Sequence, residues 1–167
     1  MQASQSVVEL VAAAQATAKT SEDRISELLK QMDGSDARLA ELREATRALE
    51  LVAVDIFTLF ESRMQGHFKR GPFSRKLKSM LIASGETDLA DRFHQYYLAI
   101  NVLKHGKGAS YRELLATPSA LYDVKHPDEV ATDDADTAPS LIDISKPGFF
   151  DGLARTLRDA YHFLETA

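Results

Sequence analysis

One helical stretch concentrates the side chains capable of chemistry. Asp91, His94, Leu98, Asn101 and His105 recur at steps of three and four residues, which lines them along one face of a helix. A histidine near its ordinary pKa exchanges protons close to neutral pH, so His94 and His105 are candidate acids or bases. A second stripe, Leu89, Phe93, Tyr96, Ile100 and Leu103, points nearly the opposite way and predicts the core face. A polar stripe opposite the core is usually solvated. This one mixes two histidines, an amide and a leucine where glutamate and lysine are usual, and Leu98 in it predicts a second protein surface.

Other chemistries find less support. The 167-residue sequence contains no cysteine, which excludes a disulfide framework and a thiolate zinc site and suits a reducing, cytoplasmic setting. Asp91 with His94, and Asp159 with His162, each pair a carboxylate with an imidazole three residues on. Di-iron bundles use glutamate-based pairs facing inward, whereas these are aspartate-based and off the expected core faces, so no metal is assigned. Neither a Walker A loop nor a dinucleotide fingerprint occurs, no nucleophile elbow accompanies the serines, and no cofactor is expected. Phe57, Phe60, Phe93, Tyr96 and Phe150 sit at helical spacing and read as core rather than as base-stacking platforms.

Charge is unevenly placed. The net charge is -5, yet Arg63, Lys69, Arg70, Arg75, Lys76 and Lys78 form a basic run with His67 and no acid. From Pro118 to Ser145, Asp123, Asp128, Glu129, Asp133, Asp134, Asp136 and Asp143 face Lys125 alone. The basic run is suited to phosphates and the acidic one repels them; a solvated turn and an acidic mobile loop are the plain alternative.

The elements that position these residues follow from apolar periodicity. With 44% apolar and 27% charged residues, the chain has a globular composition and is long enough for one core, so residues 1–167 are expected to form a single domain. The N-terminus lacks the basic region of a signal peptide, and no apolar run is long enough for a membrane span. A first helix is expected from about Ser6 to Met32, with Val7, Val11, Ala14, Ala18, Ser21, Ile25, Leu28 and Met32 on one stripe. Gly34 suits a left-handed stop and Ser35 or Asp36 a cap. A second helix, striped by Leu39, Leu42, Thr46, Leu49, Ala53, Ile56, Phe60 and Arg63, ends near Gly66 and completes an antiparallel hairpin. A short helix spans about Ser74 to Ser84, ended by Gly85. The histidine-bearing helix runs to His105 from a Thr87 or Asp88 cap. Ser110 with Glu113 predicts a capping box for another short helix, and LYDV at Leu121 with LIDI at Leu141 a small β-ribbon within 121–144. The last helix starts about Pro147 and buries Phe150, Leu153, Leu157, Tyr161 and Leu164. The fold class expected is all-α: an up-and-down four-helix bundle with short accessory helices.

The stretch Ile100-Asn101-Val102-Leu103-Lys104-His105-Gly106 resembles the motif of HEPN domains, helical bundles that usually dimerise and include metal-independent ribonucleases and relatives that only bind. That motif is an arginine followed, after four to six residues, by histidine, commonly with asparagine directly after the arginine. Asn101 and His105 match; Ile100 stands where the family has arginine. Glu61 is similar to a polar residue the family carries near the end of an earlier helix. The likeness covers roughly Ala45 to Leu115. It implies His105 and Asn101 as candidate catalytic residues. Glu61, His94, Lys104, Lys107, Arg112, Lys69 and Arg70 are candidate binding residues. The missing arginine removes the cation that steadies a phosphate, and a lysine is a poorer bidentate clamp. Arg155 with His162 also fits the spacing, at the level expected by chance. The leading expectation is therefore a homodimeric binding or regulatory module without ribonuclease activity, with RNA, a nucleotide or a protein as partner. The alternatives are a metal-independent endoribonuclease using His105, and a purely structural interaction bundle.

Overall fold

The computed structural model describes residues 6–68, 71–126 and 141–166. Its helices are α1 (Val7–Lys30), α2 (Asp36–Met64), α3 (Phe73–Ala83), α4 (Thr87–His105), α5 (Ala109–Ala116) and α6 (Phe149–Thr166), with a 3-10 turn at Gln65–His67 and strands β1 (Asp123–Val124) and β2 (Ile142–Asp143). Helices α1, α2, α4 and α6 pack in a closed ring, α1 on α2, α2 on α4, α4 on α6 and α6 on α1. This is the expected four-helix bundle, with α3 and α5 laid against α4. Among the described residues no helix is long and apolar enough to cross a membrane.

Local chemistry sets most boundaries. Ser6 and Ser35 cap α1 and α2, their hydroxyls accepting from Glu9 N at 3.2 Å and Arg38 N at 3.3 Å. Gly85, at φ 81°, ends α3 in a Schellman turn: Glu86 N donates to Leu81 O at 2.8 Å and Gly85 N to Ile82 O at 3.0 Å.

Several boundaries differ from expectation. Helix α1 stops at Lys30, and Met32 and Leu39 lie exposed at the hairpin tip, because the helices there extend past the elements that could cover them. Helix α4 begins behind Glu86 without a side-chain cap; neither Thr87 nor Asp88 serves. Pro147 precedes α6 rather than opening it, since Gly148 at φ 91° makes the turn into Phe149. Tyr161 on α6 is only half-buried.

The core is continuous. Val11, Leu28, Leu49, Phe57, Leu77, Phe93, Ile100, Leu153 and Leu157 are all buried. Phe60, Phe73 and Phe93 form an aromatic cluster with centroids 5.8 to 6.3 Å apart. The ribbon is present and antiparallel, with Asp123 opposite Asp143 and Val124 opposite Ile142. Tyr122, Ile142 and Ile144 are buried and tie it to the bundle. Residues 127–140 of the acidic segment lie outside the described residues, so the expected mobile loop there has no structural counterpart to report.

Candidate functional site

Helix α4 is central, packed by α2, α3, α5 and α6, and this changes the meaning of its polar stripe. Leu98 is only 5% exposed. The second surface it announced is α5 of the same chain, which folds back on α4 after the turn at Gly106, φ 68°. The expected capping box does not form. Helix α5 starts behind Gly108 with no side-chain cap, and the box residues point at α4 instead. Ser110 Oγ accepts from Asn101 Nδ2 at 3.2 Å, and Glu113 Oε2 lies 2.6 Å from His94 Nε2. A box at a first turn yields bonds of modest strength. Turning the same groups onto α4 satisfies an amide and an imidazole that helix packing half-buries.

The motif residues are thereby dispersed. Ile100, at the family's arginine position, is 1% exposed and part of the core. Asn101 is half-buried and bonded to Ser110. His105, the last residue of α4, is exposed, and among the described residues it has no hydrogen-bond partner. His94 is half-buried between Glu113 and the ring of Tyr97, whose centroid is 6.1 Å away. Lys107 and Arg112 are exposed. Lys69 and Arg70 lie outside the described residues.

Glu61 feels the charge of Lys104, although the two form no ion pair. Burial raises the Glu61 carboxyl above its ordinary range, against the opposing pull of the Lys104 ammonium and of the Ser74 hydroxyl, which donates to Glu61 Oε2 at 3.3 Å. The C-terminal ends of α2 and α4 and the N-terminal end of α3 thus meet at one corner, with exposed Arg75 and Lys76 following Ser74. Ser74 as a partner was not legible beforehand: a serine inside a basic run looks like surface, and only packing buries it.

The two aspartate–histidine pairs are engaged separately. Asp91 accepts from Gln95 at 2.7 Å, and Asp159 pairs with Arg92 at 3.3 Å. His162 is exposed, with its ring against Tyr161. Among the described residues no group of three or more potential ligands gathers.

A separate feature escaped sequence reasoning. A cleft of about 330 Å³ opens between the α1–α2 hairpin and the ribbon, lined by Ile25, Leu29, Leu42, Arg43, Lys125 and Ile142 among others. Its walls come from segments a hundred residues apart in the chain, so no local pattern marks it.

No family model matches this sequence, and no curated protein or solved structure is significantly similar to it.

Proposed function

We propose that this chain is a HEPN-like binding module without ribonuclease activity, acting as a homodimer on a polyanionic ligand, RNA or nucleotide, at the corner formed by α2, α3 and α4. The observation that carries the reading is the engagement of the motif. With Ile100 in the core and Asn101 bonded to Ser110, His105 stands exposed with no cation positioned by the motif. Its neighbour Lys104 lies within electrostatic range of Glu61. Proton transfer by one histidine leaves the charge of a phosphoryl transition state unsupported. Binding needs less: exposed cations such as Arg75, Lys76, Lys107 and Arg112 attract phosphates without fixed geometry. Dimerisation enters through the family resemblance, and the exposed Leu51 and Ile82 offer apolar surface for it.

The test is anisotropy of a labelled single-stranded oligoribonucleotide, with its integrity followed on a gel in the absence of divalent metal. The expected result is salt-sensitive binding, weakened in Arg75→Glu with Lys76→Glu, and intact RNA. Cleavage that disappears in His105→Ala would overturn the reading in favour of the nuclease. Absence of binding by the wild type would remove the polyanion and leave a purely structural bundle.

A further inference from the structure

The cleft between the hairpin and the ribbon is lined by none of Glu61, Ser74, Lys104 or His105, so what it binds is independent of the reading above. We infer that it is a binding site for a small aliphatic monoanion, an unbranched chain of medium length ending in a carboxylate.

Size comes first. At about 330 Å³ the cleft falls at the lower end of the range of roughly 300 to 1,000 Å³ typical of small-molecule sites. Its shape is built in. One wall is the hairpin, bridged near its tip by Arg24 of α1 and Glu41 of α2 at 3.2 Å. The other wall is the ribbon, held by buried Tyr122 and Ile144 and by the Tyr111 hydroxyl, which donates to Lys125 O. Both walls are fixed by contacts outside the cleft, so a ligand would enter a formed space rather than open one.

The lining selects the ligand. Its apolar part, Ile25, Leu29, Leu42 and Ile142, is wholly aliphatic. Among the described residues no aromatic ring lines it to stack a nucleobase, which favours a flexible chain over a planar heterocycle. Leu29, 56% exposed, lies at this lining, where an apolar chain would cover it. The polar part carries Arg43, Arg47 and Lys125 against Glu50 and Asp143, an excess of one positive charge. Among the described residues Arg43 and Lys125 form no hydrogen bond or ion pair through their side chains. Asp143 is occupied, accepting from Ser145 N at 2.9 Å and Ser145 Oγ at 2.6 Å. A single carboxylate matches this balance. A dianionic phosphate would meet both carboxylates of the rim, and a cation would meet the free guanidinium and ammonium.

The experiment is calorimetric titration with decanoate, below its micellar concentration, and with decyltrimethylammonium as the chain of opposite charge. Decanoate is expected to bind with one-to-one stoichiometry, and the ammonium compound at least about tenfold more weakly. Arg43→Glu, at an exposed position, should weaken decanoate by a similar factor, while Arg155→Glu on exposed α6 surface leaves it unchanged. Thr46→Phe should fill the cleft and abolish binding; if that variant loses its circular-dichroism spectrum, Arg43→Glu alone decides. Absence of saturable decanoate binding, equal binding of the ammonium compound, or an unaffected Arg43→Glu protein would each overturn the assignment.

Discussion

Replacing Ile100 by arginine installs the residue that the HEPN motif this stretch resembles has before the asparagine, and the structure sets its cost. Ile100 is 1% exposed, on a helix packed by α2, α3, α5 and α6. Losing its side-chain burial removes about 2 to 3 kcal/mol. Introducing a guanidinium with no carboxylate built to receive it adds about 3 to 5 kcal/mol, the range for an unpaired buried charge. Two effects oppose this. The position lies near the C-terminal end of α4, where the helix dipole favours a cation by up to about 1 kcal/mol, and a long side chain can carry its charge toward solvent. Neither offsets the loss, so the net destabilisation should be about 4 to 7 kcal/mol, a large share of the roughly 5 to 15 kcal/mol of an ordinary domain. Ile100→Met, which nearly conserves volume, should cost less than about 1.5 kcal/mol. Urea unfolding followed by circular dichroism measures both. An Ile100→Arg protein within about 1 kcal/mol of wild type would show that this face opens to a cleft, and RNA cleavage by that protein would refute the argument that the motif is structurally engaged.

Other perturbations probe particular contacts. Ile56→Asp buries an unpaired carboxylate at a position 5% exposed and should cost several kcal/mol, about 3 or more; an unchanged unfolding midpoint would mean that α2 buries a different face. Gly152→Ala drives a methyl group into the Tyr96 hydroxyl, which donates to Phe149 O at 3.3 Å, so a loss of about 1 to 3 kcal/mol is expected, and a stabilised variant would refute that close approach. The raised carboxyl of Glu61 means the folded chain holds that proton more tightly than the unfolded chain. Its contribution is therefore fully present below the ordinary glutamate range and is lost as pH rises through the elevated folded value. Glu61→Gln should flatten this fall in the stability–pH profile, and a profile identical to wild type would remove burial as the cause.

How much of this was readable beforehand depends on the range of the interactions. Periodicity in the chain located the helices, because each apolar stripe is a property of neighbours three and four residues apart. Gly85 marked a helix end for an equally local reason, a backbone conformation that costs glycine little, whereas α1 stopped at Lys30, short of Gly34. Phe57, Phe60 and Phe93 were recognisable as core for the same cause. Even the ribbon could be anticipated from matching apolar segments at Leu121 and Leu141. The partner of each polar group was a different matter. Ser110 and Glu113 have the spacing of a capping box, yet α5 packs on α4, and there they satisfy Asn101 and His94. The local pattern lost because a half-buried amide and imidazole left unpaired would cost more than a missing cap. Leu98 signalled a second surface, but only the return of α5 showed that surface to be internal. Ser74 gave no sign of burial beside Glu61, and the cleft has walls that only folding brings together. Sequence alone therefore determined the helices, their buried faces and the bundle they must form, since these rest on short-range geometry. Tertiary structure decided which polar groups meet, which stay open to a ligand, and where space is left, because those depend on contacts between residues far apart in the chain.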